Sequence, residues 1–327
     1  MLASPAIAAE DPPLGETPAG TETAQMKWQA SAIDQLAAMP DADALLTAAA
    51  LAATTPSQAS RAMTLLDRAS AMAPQAADIG LLGIQLCSMQ ADCAALPRET
   101  RLRQLDPHNG IAWMTALHDA SGRADAARID DMLNHMTHAT RFDIYFVALT
   151  RRFNTALDRV PRSPDEASAD DHRADETGHY AQAMNMAMSL VMPAFQDLVR
   201  ACKPGSPAAN ARRETCRQIV PSLEQGDSLI ANLIGLRIHE WTASDANDLA
   251  TEEAQYRRLS WQMKQQLDIA TSPAISPAKR MAIVLAYERE MDRMAALLTA
   301  AGKPLDPPAH WQPQQRLPAP PLAPASP

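Results

Sequence analysis

Histidine pairs, a methionine cluster and four cysteines are the residues of this 327-residue chain whose types and spacing could do chemistry. His135 and His138 sit three apart, so a helix would place both imidazoles on one face, a spacing able to bind a metal. No acidic ligand follows at a matching offset, and a histidine near a helix C-terminus is favourable without any metal. His239-Glu240 opens like a zinc-protease motif, but Ala243 stands where the second histidine is required. Asp171, Asp175 and His179 would align on a helix, yet they adjoin a run of charges, and a solvated charged face is the better account. Met184, Met186, Met188 and Met192 offer thioethers, soft ligands suited to Cu(I). Met184, Met188 and Met192 also recur every four residues, as a core-facing helix stripe does, with Met186 turned away. Core packing is the reading adopted, and copper binding through Met184–Met192 is the alternative. The chain has no nucleophile elbow, phosphate loop or dinucleotide fingerprint, so no residue is given a catalytic role and no cofactor or metal is expected.

The cysteines form two local pairs. Cys87 and Cys93 lie six apart, and Cys202 and Cys216 fourteen apart, each across an expected helix–helix turn. An even count in local pairs fits two hairpin-closing disulfides formed in an oxidising compartment, with four free thiols as the alternative. Zinc is disfavoured because no C-x-x-C spacing occurs. At the N-terminus, Ala6-Ile7-Ala8 before Glu10-Asp11-Pro12-Pro13 reads as the cleavage end of a signal peptide whose start lies upstream of Met1. Export to the periplasm or beyond is therefore the expectation.

A formal charge of −9 would repel a phosphate backbone, so nucleic acid is not an expected partner. No stretch reaches the ~18–20 apolar residues that span a bilayer, so no integral membrane segment is expected. Hydrophobic residues make up 46% of the chain and aromatics only 4%. Alanine accounts for much of the difference; it favours helix and lets helices approach closely. With 11 glycines and no run of short alternating segments, the fold class is all-α.

Local signals place the elements. Residues 1–23 lack apolar periodicity and read as a signal-peptide remnant and flexible leader. Asp41 and Ser57 are expected to cap helices, Asp106-Pro107 to start the helix carrying Trp113, and Phe142–Leu157 to be a single helix. Residues 160–176 hold prolines and charges with no large apolar side chain after Val160, and read as a linker or exposed loop. Beyond it the pattern predicts Tyr180–Ala201 with a bend at Pro193, and Asn210–Leu223 interrupted by Pro221. Asp227 is expected to cap Ser228–Trp241. Asp245–Ile269 follows, then a last helix from Pro277 that Gly302 ends. The tail 303–327 reads as proline-rich and disordered, with Trp311 as its one packing candidate.

One register runs through the first half. Ala62-x-x-x-Leu66-x-x-Ala69 closes on Pro74, and Ala95-x-x-x-Glu99-x-x-Leu102 closes on Pro107, 33 residues later. Trp113 follows six residues after that proline, and Gly80 is its counterpart one period earlier. Residues 62–133 resemble the tetratricopeptide repeat on these positions. The resemblance implies stacked antiparallel α-hairpins over 24–159 that bind an extended peptide along the first-helix face. Leu81, Gln85, Met114 and His118 would then point into that groove. The second half, 177–302, reads as a longer-helix bundle similar to uncharacterised exported bacterial helical proteins, a likeness that lends no activity. Together these features predict an envelope scaffold that binds a protein or peptide, with an enzyme site between the two helical regions as the alternative.

Overall fold

In the computed structural model, residues 23–55, 58–90, 93–162, 179–191, 195–270 and 274–313 are described. They form sixteen α-helices and one short 3-10 turn, with no strand among the described residues. Alanine content sets the first layer. Every residue of α2 (Ala42–Thr54) from Ala44 to Ala52 is buried, because small side chains let α1 (Ala24–Ala37), α3 (Ala59–Met72) and α8 (Phe146–Leu157) all pack against it. Asp41 caps α2 as its sequence suggests, accepting the Ala44 N–H at 2.9 Å. Hairpins follow: α2–α3, then α4 (Ala77–Ser88) with α5 (Ala95–Leu105), then α6 (Met114–Gly122) with α7 (Ala126–Met136).

A second layer lies across the first helices of these hairpins. Helices α8 and α9 (Tyr180–Val191) pack on α2 and α4, and α10 (Phe195–Cys202) packs on α6. Ion pairs bind the layers together. Arg152 of α8 reaches Asp78 of α4 and Asp43 of α2, and His118 Nδ1 of α6 lies 2.8 Å from Asp197 Oδ2 of α10. Short α11 (Pro207–Ala211), α12 (Arg213–Glu224) and α13 (Leu229–Thr242) continue the stack. The main apolar core runs from Trp28 to Ile238, so it includes residues on both sides of 160–176. A smaller core joins α13, the long α14 (Ala246–Ala270), α15 (Pro277–Ala286) and α16 (Glu290–Ala300). No helix among the described residues is long and apolar enough to cross a membrane.

Both expected disulfides close. Cys87–Cys93 and Cys202–Cys216 have Cα–Cα separations of 5.2 and 5.7 Å, within the span a bridge requires.

Several elements differ from their sequence signals, each for a local reason. The helix expected from Phe142 begins at Phe146, because 140–145 run beside 108–110 instead. Thr140 N–H donates to the His108 carbonyl and Gly110 N–H to the Arg141 carbonyl, each at 2.9 Å. Buried Asn109 holds the arrangement: its Oδ1 accepts the Asp143 N–H and its Nδ2 donates to the Asp143 carbonyl. Asn109 also caps the 3-10 turn Gly110–Trp113, so Trp113 precedes α6 rather than lying inside it. Gly110 is needed for close approach, since a Cβ there would lie 2.2 Å from the buried Phe142 ring. Ser228, not Asp227, caps α13, accepting the Ala231 N–H. Pro221 sits within α12 without ending it. The last helix is two, α15 and α16, separated at 287–289, and α16 ends before Gly302 at φ 67° as expected.

Residues 303–313 lie along α14 rather than apart from the fold. Residues 1–22, the Ser57 cap, 163–178 with Asp171 and Asp175, Met192 and Pro193, and 314–327 lie outside the described residues.

Candidate functional site

An open groove of about 670 Å³ lies between α3, the start of α4, and α5. Its making can be followed from the repeat register. Gly80 stands one period before Trp113, and where Trp113 carries an indole, Gly80 carries nothing. A Cβ at Gly80 would meet Leu102 and Leu105 at 3.7 and 3.9 Å, so the missing side chain leaves a hollow floored by leucine. Met63 and Pro97 line the walls, and Cys93 brings the Cys87–Cys93 bridge to the edge. Two guanidinium groups stand at the rim in fixed positions: Arg98 pairs with Asp67 at 2.7 Å, and Arg101 donates to the Pro74 carbonyl at 2.8 Å. Met72, Met89 and Leu96 are each one residue from a lining residue, and each is exposed, Leu96 by 64%. They are three of the eight exposed large apolar side chains among the described residues.

The residues that the repeat resemblance aims at a peptide lie elsewhere. Leu81 and Met114 are 2% exposed and belong to the main core, Gln85 is half-buried, and only His118 reaches solvent. None lines the open groove. The first-helix face is occupied by the chain's own α8, α9 and α10.

The histidine and methionine candidates divide between packed and exposed positions. His135 stacks on Trp113 with ring centroids 3.9 Å apart, while Arg103 lies 4.3 Å from the Trp113 ring centroid. His138 is exposed, and no group of three metal-ligating side chains occurs among the described residues. His179 is buried, with Nε2 3.3 Å from the Val160 carbonyl oxygen. On α9 the buried face is Ala183, Ala187 and Leu190, with Met184 and Met186 both packed against the core. Met188 is 51% exposed, so the four-residue methionine stripe is not the core face, and Met186 does not face away. The small alanines seat α9 on α8 more closely than thioethers could.

His239 fails the zinc-protease motif, yet it is a tertiary hub. Its Nδ1 lies 3.1 Å from Glu224 and its Nε2 2.8 Å from Asp248. Burial pulls the imidazole pKa down, but the hydrogen bonds to Asp248 and Glu224 outweigh it, and the net shift is upward. The ring thus bridges α12, α13 and α14. Its partners, fifteen and nine residues away, gave no periodic signal.

A second hollow, about 610 Å³, is polar and lies where 140–145 meets the 225–228 turn and 288–289. Asp143 and Asp227 tie the two segments together there: Asp227 N–H donates to Asp143 Oδ1 at 3.0 Å, and Asp227 Oδ1 accepts the Ile144 N–H at 2.8 Å. Burial, then the neighbouring Asp143 charge, pushes the Asp227 carboxyl up to about 8. Burial also raises Asp143, against the pull of Arg141, whose Nε lies 2.7 Å from it. Tyr145 sits at φ 55°, a left-handed conformation a tyrosine rarely adopts. Its hydroxyl donates to Asp106, and burial with that bond holds it well above the usual phenol range. Each of these carboxylates already serves a backbone amide, a guanidinium or a hydroxyl.

Comparison with protein-family models, with curated proteins and with solved structures finds no match to this chain.

Proposed function

We propose that this is an exported, disulfide-supported scaffold of the cell envelope, built on degenerate tetratricopeptide-like hairpins, which binds a protein or peptide in the groove between α3 and α5. The observation that carries the reading is an open hollow lined by Met63, Ile79, Pro97 and Leu105 and edged by a disulfide and two arginines, with exposed Met72, Met89 and Leu96 each next in sequence to a lining residue. Exposed apolar side chains gathered around one groove are costly in water and are covered when a partner docks. Two disulfides support an oxidising location.

The test is recovery of a stoichiometric partner from the envelope fraction by the wild-type protein and by a Leu96→Asp, Met89→Asp variant. Both positions are exposed, so the fold is expected to survive. Loss of the partner with the variant supports the groove. Equal recovery with both, or no stoichiometric partner, refutes it.

The polar hollow supports a second reading, an enzyme acting between the two helical regions. Its basis is Asp227, a carboxyl that keeps its proton near neutral pH and could act as a general acid. An activity removed by Asp227→Asn with the fold intact would transfer the assignment to that site. The structural duties of both aspartates are why the scaffold reading ranks first.

A further inference from the structure

The tail offers a binding surface independent of the groove. Helix α14 presents Arg257, Trp261 and Gln262 along one face, at positions i, i+4 and i+5. Their donors all reach backbone carbonyls of the tail. Trp261 Nε1–H donates to Pro304 at 2.9 Å and Gln262 Nε2 to Leu305 at 3.1 Å. Arg257 donates to the carbonyls of Pro308, Ala309 and Trp311, the last at 2.8 Å. Leu305 packs its side chain against the smaller core, and Trp311 meets Trp261 edge-on with centroids 5.4 Å apart.

This is the chemistry by which proline-rich segments are read. Proline has no N–H, so such a segment displays more carbonyl oxygens than N–H groups, and an indole N–H with a guanidinium answers them. The bound stretch begins Pro304-Leu305-Asp306-Pro307, and the chain spells the same Pro-Leu-x-Pro pattern again at Pro321-Leu322-Ala323-Pro324. Within 303–313 the only backbone bond described is Trp311 N–H to the Pro308 carbonyl, so the segment owes its position to α14 rather than to its own structure. Its one side-chain ion pair, Arg258–Asp306, is largely exposed and contributes little.

We propose that this face of α14 is a recognition surface for Pro-Leu-x-Pro segments, filled here by the chain's own Pro304–Pro307 and able to take the same pattern from a partner. The cis segment then acts as a resident competitor, present at an effective concentration on the order of millimolar. A partner must exceed that competition or carry the motif more than once.

The probe is a fluorescein-labelled peptide with the sequence of Lys303–Pro313, and the readout is anisotropy. The host is the full chain with Leu305→Asp and Trp311→Ala, which undocks the cis segment and leaves α14 intact. Saturable binding to this host is expected, with binding to the wild-type chain at least about tenfold weaker through cis competition. Adding Arg257→Ala and Trp261→Ala to the host, or replacing the peptide's leucine by alanine, is expected to abolish it. A folded host that does not bind overturns the proposal, as does binding that survives loss of Arg257 and Trp261. Should the host misfold, millimolar peptide is titrated onto the wild-type chain and hydrogen exchange is read at Trp311. Loss of protection there supports exchange of the segment, and unchanged protection overturns it.

Discussion

Replacing Arg152 by methionine is expected to lower stability by about 3 kcal/mol, and the figure follows from what the guanidinium leaves behind. Arg152 spans from α8 to Asp78 on α4 and Asp43 on α2, 74 and 109 residues away. Methionine keeps most of the aliphatic stem, so the loss is mainly that of charge and hydrogen bonds. Asp78 is 7% exposed, and among the described residues its side chain otherwise accepts only from the N–H of Ile79. Stranding one partner of a buried pair costs roughly 3–5 kcal/mol. The Arg152 side chain keeps 28% of its exposure, so the lower end applies, and the half-wet Asp43 adds within about 1 kcal/mol. Urea unfolding followed by circular dichroism on wild type, Arg152→Met, Asp78→Asn and the double variant gives the coupling directly. Removing both charges is expected to recover about half the loss, a coupling energy of roughly 1.5 kcal/mol or more. A single-variant loss under about 1 kcal/mol, or a coupling near zero, would show that apolar packing alone seats α8 on the first-helix face.

Three further outcomes are expected. Asp227 has an ordinary carboxyl unfolded and one raised to about 8 folded, so its contribution is complete below about pH 4 and is lost as pH climbs to 8. Asp227→Asn keeps an acceptor for Ile144 and should flatten that fall, whose ceiling is about 6 kcal/mol; melts at pH 5, 6.5 and 8 that retain the wild-type slope would refute this. Breaking Cys202–Cys216 should cost about 3 kcal/mol and Cys87–Cys93 about 2, since their sequence separations are 14 and 6; non-reducing peptide mapping checks the pairing, and denaturant titration checks the order. Gly110→Ala forces a methyl into the fully buried Phe142 ring and should cost about 2 kcal/mol or more, with partial rescue by Phe142→Leu in chemical denaturation.

Local chemistry was legible in the sequence, and tertiary choices were not. Asp41 announces α2 because its cap bond is made three residues away, and the cysteine pairs could be matched because each closes a short local loop. Asp227 has the same cap chemistry as Ser228 beside it, and the decision between them rests on Ile144, 83 residues distant. Periodicity offered the Met184–Met188 spacing as a core stripe, whereas the core took the alanines one residue before each, where the close approach of α8 leaves room for little else. The groove was half visible: Gly80 was recognised as the empty counterpart of Trp113, but the repeat register pointed to the opposite face. That face is covered by α8, α9 and α10, which lie beyond the repeat register and leave no mark in it. The carbonyls at Pro304–Trp311 carry no side-chain signal at all, so the dock on α14 could only be seen in three dimensions.

A helical stack whose units touch only their neighbours can fray from one end, each hairpin melting with some independence. Arg152 to Asp43 and Asp78, and His118 to Asp197, instead tie positions 74 to 109 residues apart across the stack. Loop closure over such distances must be completed before those contacts give anything back, which slows folding relative to a simple repeat array. In return, no hairpin from α2 to α6 can open without breaking contacts to the layer above it. The first half should therefore lose structure in one transition, with amide exchange in α2, α4 and α6 sharing a single opening free energy instead of a gradient from the ends.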